Sequence, residues 1–273
     1  MRASRSRRAT ALTIAGSDPG GGAGIQADLR TFAALEVYGF SAITSVIAQN
    51  SSRVLRVTAM SPSMVATQIE AIAIEHKPDA IKIGALGNAA IVRAVAQSLI
   101  GHKLAAPVID PVLISTSGTR LLSKSGERAL IEHLLPLARV ITPNIPEARM
   151  LTGIEITSTT DAEEAARRFI KLGVRAVVIK GGHLTANDDV IDLLYNGHHF
   201  VRMKAQRVAI DAHGTGCAFS AAIAAHLAHG SDLEAAVRSA KEFVMRALRG
   251  SFRFGNGRPL LDHFAGRRRD KTR

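Results

Sequence analysis

The chain has no tryptophan, two tyrosines and a single cysteine, Cys217, among 273 residues. One cysteine excludes an internal disulfide and fits a reducing, cytoplasmic setting. No apolar run approaches the length of a membrane-spanning helix. The basic N-terminus, MRASRSRRAT, leads into only about six apolar or small residues before Asp18, too few for the apolar part of a secretory signal. The ten histidines and one cysteine show no zinc-ligand spacing. His198 and His199 are adjacent in a strand-like stretch, where neighbouring side chains point to opposite faces, so they do not share a metal. Gly22, Gly24 and Ala27 have the spacing of a dinucleotide fingerprint. The next strand, however, ends in Gln49 and Asn50, where the ribose would need an acid, and no Walker lysine follows the glycines. Linkers, low-complexity blocks and internal repeats are absent as well, which predicts one domain over 10–265 between short tails, 1–9 and 266–273.

Hydrophobic residues make up 47% of the chain, enough for a sizeable core. The net charge of +12 resembles a nucleic-acid signal until it is located: residues 1–8 and 266–273 each carry +4, so the tails hold 8 of the 12 charges. Basic tails poor in apolar residues read as solvated, disordered extensions, and no nucleic-acid partner is expected. Between them, strand-like runs at 10–16, 41–48, 80–83, 107–110, 140–142 and 176–180 alternate with helical runs at 24–37, 63–75, 88–100, 123–134 and 161–172. That alternation predicts a mostly parallel sheet with helices on both faces. The stretch 190–201 reads as a hairpin on a two-residue Asn196-Gly197 turn, adding antiparallel edge strands. Two helices, 214–229 and 232–248, close the chain. Stretch 41–58 is expected to be an exposed flap suited to a homodimer.

In such sheets ligands bind outside the carboxyl ends of the strands, and the unusual polar and glycine clusters fall there. The stretch 211–222, DAHGTGCAFSAA, places Gly214, Thr215 and Gly216 at the start of a buried alanine-rich helix. First-turn N–H groups lack intrahelical partners, and glycines let an anion approach them. Cys217 lies in that first turn, where the helix dipole is expected to lower its thiol pKa; a buried structural cysteine is the plainer alternative. His213 is either structural or a phosphate contact. Asp110 ends one strand, and Asn144 and Glu147 follow the next. Their oxygens suit Mg²⁺, although the same spacing also suits a helix cap. Lys180, Gly181, Gly182 and His183 add a cation and a glycine turn for phosphate. Together these make a phosphoryl-transfer set. The loop 16–24, flanked by Asp18 and Asp28, is able to fold over a small molecule.

The segments ALTIAGSDPGGGAGIQADLRTF, YGFSAITSVIAQNS, IKIGALG, VIDPV, ITPNIPEARMLTG, VVIKGGHL and HGTGCAFSAAIAA, in that order over residues 11 to 225, resemble the hydroxymethylpyrimidine and phosphomethylpyrimidine kinases of thiamine biosynthesis. The resemblance implies a ribokinase-like three-layer α/β/α fold and ATP- and Mg²⁺-dependent phosphorylation of 4-amino-5-hydroxymethyl-2-methylpyrimidine and then of its monophosphate. It implies that Gln49 hydrogen-bonds the pyrimidine, with Gly16, Ala23, Asp28 and Gly84 around it. Asn144, Lys180, Gly182, Gly214 and Gly216 would hold ATP phosphates, and Asp110 and Glu147 the metal. Cys217, with Gly214, Thr215, Gly216 and Lys180, would form the catalytic group, the cysteine as base or as neighbour. Ala85, Leu113, Thr116 and Asp211-Ala212 depart from the family's usual residues. A pyridoxal or pyridoxine kinase, or a non-catalytic pyrimidine-binding relative, are the alternatives.

Overall fold

A computed structural model describes residues 7–115, 117–182 and 189–266. Most of both basic tails, together with Thr116 and His183, lies outside the described residues. Nine strands form one sheet: β1 (Thr10–Ser17), β2 (Tyr38–Gln49), β3 (Val54–Ala59), β4 (Ala80–Ile83), β5 (Val108–Ile109), β6 (Val140–Ile141), β7 (Val177–Ile179), β8 (Asp189–Tyr195) and β9 (Phe200–Gln206). Their order is β3-β2-β1-β4-β5-β6-β7-β8-β9. The six from β2 to β7 are mutually parallel, while β3 at one edge and β8 and β9 at the other run antiparallel to their neighbours.

The inner strands are short apolar runs because both of their faces are covered. Alternate residues feed two cores. Ala11, Ala80, Val108, Val140 and Val178 face α1 (Gly24–Ala34), α7 (Thr215–Ala228) and α8 (Leu233–Arg249). Leu12, Ile81, Ile109, Ile141 and Ile179 face the other layer. That layer holds α2 (Pro62–Glu75), α3 (Ala89–Gly101), α4 (Lys124–Ala129), α5 (Ile145–Thr152) and α6 (Thr159–Lys171). The smaller side chains look toward α7, whose own alanines bring it close to the sheet. The expected three-layer α/β/α architecture with a mostly parallel sheet is the one observed.

Four local expectations change. The stretch read as a flap instead builds strands β2 and β3, paired with a register shift at Ala48/Gln49. The helix expected over 123–134 keeps α geometry only through Ala129, then widens over Leu130–Leu134 and tightens over Leu135–Leu137. Pro136 has no N–H to continue the ladder. The 190–201 hairpin turns through four residues, not two: Tyr195 pairs with Phe200, and the Asn196 side chain accepts from the amides of His198 and His199. A separate short helix, α5, follows β6, and its N-terminus decides how Asn144 and Glu147 are held.

Candidate active site

At the carboxyl ends of β1, β2, β4, β5 and β7 and the start of α7 lies a cleft of about 540 Å³, with Gln49, Lys82, Asp110, Glu147, Lys180 and Cys217 among its walls. A larger hollow of about 1030 Å³ at the opposite end of the sheet is lined by Arg7, Tyr38, Asp79 and His229 and contains none of the glycine or carboxylate clusters. The smaller cleft is therefore the candidate site.

One end of it is a turn built on Asp18. Its buried carboxylate accepts from the amides of Gly20 (2.9 Å), Gly22 (3.1 Å) and Ala23 (2.9 Å) and lies 3.3 Å from His213 Nε2. Burial would raise this carboxyl, but the hydrogen bonds from His213, Ala23, Gln49 and Gly20 outweigh it and hold it below its ordinary range. Aspartate is suited to this because one short side chain reaches several amides of its own turn. The second glycine loop docks on the first. Gly214 has φ +84°, and a Cβ there would lie 1.7 Å from the Gly22 carbonyl oxygen, so both the conformation and the approach require glycine.

The other end gathers charge. Lys180 Nζ, just past β7, lies 3.1 Å from Asp110 Oδ1, just past β5. Burial alone would depress the ammonium; attraction to Asp110 and Glu147 wins and raises it. Asn144 and Glu147 form a reciprocal cap at the start of α5: Asn144 Oδ1 accepts from the Glu147 amide (2.9 Å), and Glu147 Oε2 accepts from the Asn144 amide (2.8 Å). Burial first, with Asp110 adding to it against Lys180, pushes the Glu147 carboxyl up to about 7. The α7 N-terminus has no side-chain cap, so its first-turn amides stay available. A Cβ on Gly216 would stand 3.1 Å from Lys180 Nζ, which ties the lysine to that helix end.

A cation, two carboxylates and free amides facing a loop-lined pocket are parts for moving an anionic group onto a small molecule. The family model described as phosphomethylpyrimidine kinase matches residues 18–262. The chain therefore belongs to the phosphomethylpyrimidine kinase family. It is 46% identical over 255 residues to the hydroxymethylpyrimidine/phosphomethylpyrimidine kinase of Synechococcus elongatus, covering 93% of this chain and 97% of that one. Among solved structures it resembles the phosphomethylpyrimidine kinase of Clostridium difficile (TM-score 0.79, 38% identity, 88% of this chain and 99% of that chain). It also resembles the pyridoxal kinase of Staphylococcus aureus in complex with AMP-PCP and pyridoxal (TM-score 0.87, 35% identity, 96% of each chain). The chain is a small-molecule kinase with a ribokinase-like fold.

Within this kinase, Gly16, Ala23, Gln49, Asp110, Asn144, Glu147, Lys180, Gly214, Thr215, Gly216 and Cys217 all border the cleft. Three residues expected at the site do not line it. Asp28 is fully buried beneath the wall, where its Oδ2 accepts from Thr13 Oγ1 (2.6 Å) and Lys82 Nζ (2.8 Å). Gly84 makes room for that lysine, since a Cβ on it would fall 2.8 Å from Lys82 Nζ. Gly182 turns outward, its carbonyl accepting from Arg207. The expectation for the cysteine thiol reverses: burial, with Asp110 and Asp28 adding to it against Lys82, pushes Cys217 up to about 12. The helix dipole is outweighed chiefly by desolvation of the thiolate, to which the nearby carboxylates add. His213 proves to be a tie between the two loops. Lys82, which falls with Gly84 in a strand-end cluster but was not among the expected site residues, also lines the cleft; its strand-end position is the signal that marks it.

Proposed function

We propose that the chain transfers the γ-phosphoryl group of ATP to the hydroxymethyl group of 4-amino-5-hydroxymethyl-2-methylpyrimidine and then to the resulting monophosphate. The observation that carries this is the shared cleft: the Asp18 turn and Gln49 at one end, and Lys180, Asp110 and the α7 amides at the other. Gln49 hydrogen-bonds the pyrimidine, with Gly16 and Ala23 closing around it, while Asp28 and Gly84 support that wall from behind. Lys180 and the amides of Gly214, Thr215 and Gly216 neutralise phosphate charge as it shifts during transfer. Asn144 borders the phosphates, and Gly182 shapes the turn after Lys180.

Asp110 and Glu147 suit Mg²⁺, which commonly takes one or two carboxylates plus water and substrate phosphates. Each has one oxygen engaged, by Lys180 and by the Asn144 amide. Among the described residues no group of three His, Cys, Asp or Glu side chains is placed to hold a metal. When bound, that ion withdraws charge from the phosphates. Cys217 serves as a neutral neighbour of the attacking hydroxyl, since a thiol raised to about 12 holds its proton at neutral pH. Pyridoxal phosphorylation is the second reading, motivated by the pyridoxal kinase neighbours; the absence of any second cysteine to trap the aldehyde counts against it. Exposed Val46, Leu55 and Val57 on the β2–β3 edge support a homodimer through that face, which sedimentation equilibrium tests.

ADP release measured with the hydroxymethylpyrimidine, its phosphate and pyridoxal in parallel separates these readings. Turnover with both pyrimidines is expected. Turnover with pyridoxal alone would favour the second reading, and tight pyrimidine binding without any turnover would leave a non-catalytic relative.

A further inference from the structure

We propose that Asp192 and Lys241 are positioning residues for Lys180, acting through the backbone of Gly181. The inference rests on the reading of Lys180 as the cation that neutralises phosphate in a kinase cleft. β7 pairs with β8 only as far as Ile179 opposite Leu193. Beyond that point the chain leaves the ladder, and Lys180 reaches across to Asp110. On one side its backbone is still held, because the Lys180 amide donates to the Pro143 carbonyl at 2.9 Å. On the other side, the next amide finds a side chain in place of a ladder carbonyl. Gly181 N–H donates to Asp192 Oδ1 at 2.9 Å. The crossing is tight: a Cβ on Gly181 would lie 1.7 Å from the Ile191 carbonyl oxygen.

The carboxylate that catches this amide is itself fixed. Lys241, from α8, places Nζ 2.9 Å from Asp192 Oδ2. The same ammonium donates to the carbonyls of Met203 (2.6 Å) and Val190 (3.2 Å), so its three donors are all used. Asp192 and Lys241 are both buried, at 8% and 9% exposure. A buried ion pair is a poor way to add stability, since apolar side chains of similar volume often hold a core as well or better. What apolar residues do not supply is an acceptor aimed at one amide, and here that amide belongs to the residue after Lys180. α8 thereby fixes where β7 ends, and with it the point from which Lys180 enters the cleft.

The test replaces the pair by an apolar one, Asp192→Leu with Lys241→Met, which leaves no unpaired buried charge. Thermal melting is expected to stay near wild type, while kcat falls about tenfold to a hundredfold, the scale of a misplaced catalytic group. KM for the pyrimidine is expected to change by less than about threefold, because the acceptor's binding contacts are untouched. Asp192→Asn with Lys241→Met, which restores an acceptor for the Gly181 amide, recovers most of kcat. On a Lys180→Ala background the apolar pair produces no further loss. A folded apolar-pair variant with wild-type kcat, or an undiminished loss on the Lys180→Ala background, overturns the proposal. Should the apolar pair not fold, Lys241→Met alone is read by kcat and by amide exchange at Gly181: faster exchange with lower kcat supports it, and unchanged kcat overturns it. Wild-type protein without any transfer overturns the kinase reading and this proposal together, whereas wild-type transfer with an unaffected variant overturns the proposal alone.

Discussion

Two lysine–aspartate pairs stand at the carboxyl edge of the same sheet and differ mainly in what lies above them. Lys82, on β4, meets Asp28 at 2.8 Å with both side chains at 0% exposure. Lys180, beyond β7, meets Asp110 at 3.1 Å with exposures of 19% and 4%. In both, burial would depress the ammonium and nearby carboxylates more than compensate, so both lysines stay charged. The first pair is sealed between sheet and α1, where Thr13 donates to the same aspartate oxygen. The second opens toward the cleft and the start of α7. The chemistry of the two pairs is the same, and exposure separates them: Lys82 backs the cleft wall with no exposed surface, while Lys180 is partly open. A sealed pair keeps its protein partners, whereas an open one can exchange its partner for a phosphate.

Lys82→Met breaks the sealed side of the comparison and is expected to have the largest effect. Asp28 is left buried without its counter-ion, at a cost of about 3–5 kcal/mol of folding free energy, read from urea unfolding; a loss under about 1 kcal/mol would mean that the charge is relieved some other way. Lys180→Ala does the reverse. Its kcat should drop about 10²- to 10³-fold with little change in melting temperature, and a rise in KM alone would demote the lysine to a binding group. His263 sharpens the contrast from outside the cleft. Burial dominates there, with Arg30 adding to it, and lowers the imidazole to about 4 from 6.5. The unfolded chain takes up that proton first as pH falls. The group's contribution to stability is therefore complete above pH 6.5 and is lost toward pH 4, roughly 3 kcal/mol in all. As pH falls through that window, wild type should lose stability relative to His263→Leu, and parallel curves would contradict it. Cys217→Ala is expected to have the smallest effect, with kcat within about threefold of wild type. A hundredfold loss with a normal melting temperature would restore the cysteine as a base.

Much of this was legible in the residue order, for reasons of periodicity. Short, largely apolar runs such as 80–83 and 140–142, alternating with helical runs, read as strands covered on both faces, and the glycine and carboxylate clusters after them marked one rim. The α5 cap was legible as a spacing, Asn144 with Glu147, and the structure forms it; the same two residues also read as metal ligands, and the cap engages one Glu147 oxygen, which leaves the other for the metal proposed there. The widened turn after α4, the four-residue hairpin turn and the β3 edge strand were not legible, since each depends on what packs against it.

By itself, the sequence determined the layered α/β class and the sheet edge at which most of the glycine and carboxylate clusters gather, because alternation and strand-end position are properties of chain order. Only the tertiary structure decided which of two like ion pairs is open to solvent, and that His213 ties one glycine loop to the other. It also decided that burial raises the Cys217 thiol, for all its place at a helix N-terminus. Those outcomes depend on burial and on charges brought together from distant parts of the chain. A residue's neighbours in space set its desolvation and its field, and those neighbours exist only once the chain has folded.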